Sequence, residues 1–193
     1  MAETTLRQAP ERFSVAGHSM GGRVALEIYR LAPQRVARIA LLNTGYQGLA
    51  PDNGKEEANG RYALLDVARQ QGMKEMARKW VVPMVHPDRL NDTALVDEVI
   101  EMFSRKTPEI FAAQIRALLG RADRSAVLDQ IHCPALLLSG REDTWSPPSR
   151  HAEMAARIPG SRLEVIPDCG HMSPLERPAE VAEALRGWLA LPS

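Results

Sequence analysis

The stretch Arg12-Phe13-Ser14-Val15-Ala16-Gly17-His18-Ser19-Met20-Gly21-Gly22-Arg23-Val24 decides how the rest of the chain is read. Its first five residues have the β-type character of a short strand. The apolar residues Val24, Ile28 and Leu31 then recur at i, i+4 and i+7, the spacing of one helix face. Between strand and helix, Gly17-His18-Ser19-Met20-Gly21 fits G-x-S-x-G. In that setting the pattern is a nucleophile elbow: the serine sits on a sharp, strained turn, and Gly17 and Gly21 are expected to let strand and helix approach closely. The serine hydroxyl is thereby lifted clear of the sheet. A glycine-rich turn that only packs a helix on a strand would carry the same letters, so partners elsewhere in the chain must decide between the two.

Downstream of the elbow, Pro33 stops the helix and Val36-Ala37-Arg38-Ile39-Ala40-Leu41-Leu42-Asn43 reads as a short buried parallel strand. Strand, helix, strand is a βαβ unit, whose crossover is expected to be right-handed. Upstream, residues 2–9 read as the end of a helix closed by Pro10. From Gly48 to about Gln130 strand signals vanish and helical faces take over. Met73, Met76, Ala77, Trp80 and Val81 form one, Leu95, Val99 and Met102 another, and Phe111, Ile115 and Leu118 a third. Strand character returns over 134–140 and 162–167, separated by a helix over about 148–158. A last helix carries Val181, Leu185 and Trp188 on one face. The fold class expected is therefore α/β, a mostly parallel sheet of about four strands flanked by helices. Its core would be formed by residues 1–47 and 131–193. Residues 48–130 would form an all-helical cap over the strand ends, where open α/β sheets build their pockets. For most of the methionines in that insert, plain core packing is the expected role.

Composition narrows the function. Lys plus Arg and Asp plus Glu are both 24, so formal net charge is zero and no general attraction to nucleic acid or an anionic membrane is expected. Met1-Ala2-Glu3-Thr4-Thr5 has neither a basic nor an apolar leader character, and no apolar run approaches membrane-spanning length. A cytoplasmic protein is expected. The two cysteines, Cys133 and Cys169, lie far apart, which suits reduced thiols better than a disulfide. No spacing suggests a metal site, and no cofactor is called for.

A serine hydroxyl is a poor nucleophile until a base takes its proton, and the base works best when a carboxylate fixes its tautomer. Ser19 follows the first strand, Asp143 the third and His171 the fourth, all at the C-terminal edge of a parallel sheet. The order Ser, Asp, His is the one that accompanies a nucleophile elbow. Glu142 and Asp168 are rival acids, and Asp143 is preferred because it lies just past the strand end. Among the histidines His171 fits best, since His18 adjoins the nucleophile while His86, His132 and His151 lie in the insert, before a strand and on a helix. The Met20 N–H, at a helix N-terminus, is the candidate oxyanion donor. His18, Trp145 and Met172 are candidates for the lining of a substrate pocket.

Gly17-His18-Ser19-Met20-Gly21-Gly22, the Gly140-Arg141-Glu142-Asp143 turn, and Asp168-Cys169-Gly170-His171 followed by Pro174-Leu175-Glu176-Arg177-Pro178 together resemble the α/β-hydrolase superfamily. Within it the chain is similar to the small esterase and enol-lactonase-like members with a helical cap. The resemblance spans nearly the whole chain. It implies Ser19 as nucleophile, His171 as general base and then acid, and Asp143 as the orienting acid; a serine at the elbow disfavours the dehalogenase branch. Members of the superfamily carry several strands before the elbow, whereas twelve residues precede Phe13 here. The resemblance thus implies a partial fold, lacking the upstream loop that donates the second oxyanion N–H. The elbow strand is then expected to be an exposed sheet edge, inviting self-association into a homo-oligomer. The reaction expected is hydrolysis of a small carboxylic ester, thioester or lactone through an acyl-enzyme on Ser19. The rival readings are a non-catalytic or weakly active interaction module and an acyltransferase.

Overall fold

The computed structural model describes every residue of the chain except Pro51, Asn53 and Ser193. Four strands, β1 (Phe13–His18), β2 (Val36–Leu42), β3 (Ala135–Gly140) and β4 (Arg162–Ile166), form one sheet in the order β1-β2-β3-β4. All three pairings are parallel. The helices are α1 (Ala2–Gln8), α2 (Met20–Leu31), α3 (Gly54–Gln71), α4 (Met73–Val81), α5 (Thr93–Ser104), α6 (Pro108–Leu119), α7 (Ser125–Leu128), α8 (Pro148–Arg157), α9 (Ser173–Glu176) and α10 (Pro178–Leu189). No helix among the described residues is long and apolar enough to cross a membrane.

The central strands are apolar on both faces because helices cover both. Alternation along β2 sends Ile39 and Leu41 to one face and Ala40 and Leu42 to the other; β3 divides Ala135 and Leu137 from Leu136 and Leu138 in the same way. On the first face these residues meet Leu26, Ile28 and Tyr29 of α2 and Met154 of α8. On the second they meet Val181, Ala184 and Trp188 of α10. The Trp188 indole N–H, buried with its ring, donates to the Pro134 carbonyl at 3.1 Å. Each fully buried leucine contributes on the order of 2 kcal/mol, so the sheet edge bearing the polar site rests on a well-filled three-layer core.

The chain divides into two compact units, Met1–Tyr46 with Arg124–Ser193, and Gln47–Asp123. The insert therefore ends earlier than the expected residue 130. Residues 124–130 return to the first unit because Val127 and Leu128 are buried against Ala25, Leu26 and Tyr29. The Tyr29 hydroxyl also donates to the Gln130 carbonyl at 2.8 Å, and Arg124 pairs with Glu27 at 2.5 Å. The second unit is all helical, α3 to α6, around Leu65, Met73, Met76, Phe111 and Ile115. Trp80 lies between Phe103 and Phe111, with ring centroids 4.8 and 5.0 Å away. Met73 and Met76 fill that core, in keeping with their expected packing role.

Candidate active site

Parallel pairing brings the C-terminal ends of all four strands to one edge, and the polar residues of the site lie just beyond them. After β1 the chain turns at Ser19, whose backbone is held at φ 53° and ψ −117°, a conformation an L-residue rarely adopts. The Ser19 N–H donates to the Leu42 carbonyl at 2.9 Å, continuing the β1–β2 ladder past the end of the strand. Helix α2 begins at the next residue, so the Met20 N–H belongs to a first turn with no preceding intrahelical carbonyl to accept it. A Cβ on Gly17 would overlap the backbone carbonyl of Gly21.

The second close approach belongs to Gly22 rather than Gly21. A Cβ on Gly22 would strike the Thr44 side chain, whereas one on Gly21 would meet no described atom within 4 Å. The expectation for Gly21 is corrected accordingly: its backbone receives Gly17, but its own missing side chain is not what the turn requires. Gly17→Ala should lower stability by about 1–3 kcal/mol through overpacking. Gly21→Ala should stay within about 0.5 kcal/mol of the parent. Urea unfolding of the two variants checks this, and equal losses would refute it.

His171 lies between the other two candidate residues. Its Nδ1 is 2.9 Å from Asp143 Oδ2 and its Nε2 is 2.9 Å from Ser19 Oγ. A carboxylate accepts only, so Nδ1 carries the proton and Nε2 is left to accept from the serine hydroxyl. His171 and Asp143 are 3% and 2% exposed, which removes water as a competitor for these bonds. Burial alone would raise the Asp143 pKa, but hydrogen bonds from His171, Asn43 and Ser146 outweigh it and hold the carboxyl down at about 2. Oδ1 accepts the Trp145 and Ser146 N–H groups, both at 2.9 Å.

The rival acids lie elsewhere. Glu142 accepts the Cys169 N–H at 2.9 Å, and Asp168, with its side chain 71% exposed, pairs with Arg177 at 3.3 Å. Of the candidate pocket residues, His18 and Trp145 flank His171, with ring centroids 5.1 and 5.0 Å from it, and Met172 is buried beside it in sequence. The His18 Nε2–H donates to the His171 carbonyl at 2.7 Å. Burial first, then the neighbouring His171 ring, lowers the His18 pKa to about 4, so this imidazole is neutral.

Several polar residues that sequence reading passes over complete the site. Thr44 Oγ1 donates to the Ser19 carbonyl at 2.6 Å, bracing the strained turn from the end of β2. The Thr44 N–H in turn donates to His151 Nε2 at 3.2 Å, while His151 Nδ1–H donates to the Pro147 carbonyl at 3.2 Å. His151 is fully buried, and burial lowers its pKa to about 4. The Glu176 carboxylate accepts the N–H groups of Gly170 and Met172, the two neighbours of His171, at 3.0 Å each. Gly140 must be glycine because a Cβ there would run into the Cys169 and Gly170 carbonyls of the same loop. Asn43, the residue after β2, contacts Asp143 at 3.0 Å. For Asn43 and Thr44 the sequence signal is position, since they end a strand at the edge already holding Ser19, whereas Gly140 and Glu176 fall within stretches that carry the family resemblance.

The sequence matches the alpha/beta hydrolase family over residues 2–184. It is 26% identical over 189 residues to the pimeloyl-[acyl-carrier protein] methyl ester esterase of Nitrosomonas europaea, covering 93% of this chain and 72% of that protein. Among solved structures, a thermophilic esterase from Thermogutta terrifontis with malate bound superposes with a TM-score of 0.83 at 30% identity, over 93% of this chain and 65% of the esterase. The enol-lactonase of Burkholderia xenovorans LB400 shares the fold with a TM-score of 0.83 at 24% identity, over 97% of this chain and 69% of the lactonase. The chain thus spans about two thirds of the length of these similar proteins.

Proposed function

We propose, for a chain that belongs to the alpha/beta hydrolase family, that it hydrolyses a carboxylic ester, thioester or lactone through an acyl-enzyme on Ser19. The observation that carries this reading is the unbroken relay from Ser19 Oγ through His171 to Asp143, with both links at 2.9 Å, set on a strained turn at the start of a helix. As Ser19 Oγ attacks the carbonyl carbon, its proton passes to His171 Nε2 and the imidazolium is stabilised by the Asp143 carboxylate. The oxyanion forms against the Met20 N–H at the positive end of α2. His171 then gives the proton to the departing alcohol or thiol. Water, deprotonated by the same nitrogen, releases the acid and restores Ser19. His18 and Trp145 flank this path and form the walls nearest the base. Where an oxyanion hole keeps one of its two donors, the rate falls about 10²- to 10³-fold, so turnover resting on Met20 alone would be slow. The compartment proposed is the cytoplasm, in which Cys133 and Cys169, both free, stay reduced.

Stopped-flow hydrolysis of p-nitrophenyl acetate tests the reading. A burst of about one p-nitrophenol per chain should precede slow turnover, and Ser19→Ala should show no burst. A folded wild-type protein with neither burst nor turnover would refute it.

The partner proposed is a second copy of the chain, paired along β1. Among the described residues that strand pairs with β2 alone, which makes it an edge of the sheet. Beside it runs an open groove of about 540 Å³ lined mainly by apolar residues, among them Val15, Ala16, Met20, Val24 and Ile28. Sedimentation at micromolar concentration should show a dimer or larger species that Val15→Lys converts to monomer. A monodisperse wild-type monomer would contradict the pairing.

A further inference from the structure

We propose that Asn43 is a positioning residue of this site, whose side-chain amide fixes the Asp143 oxygen that accepts the hydrogen bond from His171 Nδ1–H and ties it to the loop carrying His171. The inference rests on the reading of Ser19, His171 and Asp143 as one reacting unit. Asn43 follows β2, the strand that lies between the one leading to Ser19 and the one leading to Asp143. Its backbone is left-handed, φ 46°, a conformation asparagine tolerates better than most residues. The backbone N–H donates to the Leu138 carbonyl at 2.8 Å, so the residue is anchored to β3 before its side chain is considered.

Both donors and the oxygen of that side chain, which is fully buried, are engaged. Nδ2 donates to Asp143 Oδ2 at 3.0 Å and to the Gly170 carbonyl at 3.2 Å, and Oδ1 accepts from the Ser173 hydroxyl at 2.5 Å. The amide cannot be turned over, because its oxygen would then face a carboxylate and a carbonyl, neither of which has a proton to give. Three segments are thus joined at one side chain: the end of β2, the Asp143 turn after β3, and both flanks of His171 after β4. The bond from Asn43 falls on Oδ2, the same oxygen that faces His171 Nδ1, while Oδ1 is held by Trp145 and Ser146. All four acceptor sites of the carboxylate are therefore occupied, and its rotation about χ2 is stopped. Without the amide, Oδ2 would keep His171 alone, and the imidazole could swing with its acceptor away from Ser19.

The test compares Asn43→Leu, Asn43→Asp and Ser173→Ala. Leucine matches the volume but has no donor. Aspartate matches the shape but sets a second carboxyl against Asp143, and Ser173→Ala leaves both amide donors in place. The hydrogen-bonded Nδ1 proton of His171, assigned by its loss in His171→Gln, gives a proton NMR signal far downfield of the amides. It should persist in Ser173→Ala and vanish in both Asn43 variants, whose kcat should fall about 10- to 100-fold with KM within about twofold. In the wild type, the Asn43 side-chain amide protons should exchange with solvent far more slowly than those of Asn59 and Asn91, which are exposed. That measurement needs no variant to fold. An intact downfield signal and kcat in either Asn43 variant, or rapid exchange of the Asn43 amide in the wild type, would overturn the proposal. Should the wild type fail to hydrolyse any ester, the signal and the exchange rates still decide the role of Asn43, so the two failures are distinct.

Discussion

Ser19→Ala and His171→Ala should each lower kcat for an activated ester by about 10⁴- to 10⁶-fold, and the double variant should be no worse than either alone. The two side chains form one proton path, Oγ to Nε2 at 2.9 Å, and removing either end removes the whole path. Additive losses would mean that they act separately, contrary to the geometry. Asp143→Asn should cost about 10⁴-fold, because an amide at that position can present its own N–H to Nδ1 and so stabilise the wrong imidazole tautomer. KM should change little in all these variants, since none of the three residues is assigned to substrate binding. Steady-state kinetics on p-nitrophenyl esters reads all of this. A Ser19→Ala enzyme with wild-type turnover would remove the serine from the chemistry.

The second large effect is on stability in acid. His151 is buried with both ring nitrogens committed, Nε2 accepting from Thr44 N–H and Nδ1–H donating to Pro147, so it has no room for a second proton. Its pKa is lowered to about 4 by burial, from an unfolded value of 6.5. The unfolded chain therefore takes up a proton below pH 6.5 that the folded chain refuses until pH 4. Stability is fully present above the unfolded value, falls as the pH drops through that window, and levels off below it. At about 1.4 kcal/mol per pH unit, the loss between pH 7.5 and 5 is on the order of 2 kcal/mol from His151. His18, half-buried and lowered to about 4, adds a smaller loss of the same sign. Asp143 acts in a separate, more acid window: its stabilisation is present above the unfolded 3.8 and is lost as pH falls toward about 2. Urea denaturation at pH 7.5 and 5.0 should show the loss, and His151→Gln should flatten more than half of it. An unchanged pH slope in that variant would place the acid sensitivity elsewhere.

Ser19 and His171 are legible in the sequence because strand ends and chain order are one-dimensional signals that a parallel sheet converts into proximity. The acid is harder. Glu142 and Asp143 follow the same strand, and only the direction of each side chain separates them, toward the Cys169 N–H or toward His171. Asn43, Thr44 and His151 are invisible to a linear reading for a related reason. Their roles come from lateral register, with Leu42 beside His18 on one side and Leu138 on the other, which sets the residues after β2 against both neighbouring turns. Gly21 shows how a motif can mislead. The pattern makes it equivalent to Gly17, yet the crowding falls on Gly17 and Gly22 because Thr44 packs over the second turn position. The insert ends at Asp123, seven residues before the expected end, and the short helix α7 carries no periodic signal of this: its Val127 and Leu128 declare themselves only by packing on α2.

The central claim is that Ser19 is an activated nucleophile, and the most direct measurement is covalent labelling with a fluorophosphonate followed by tryptic mass spectrometry. The wild-type protein should take up one phosphonyl group per chain, carried on the peptide Phe13–Arg23, and Ser19→Ala and His171→Ala should take up none. A folded wild-type chain that stays unlabelled, or labelling that persists in Ser19→Ala, would contradict it.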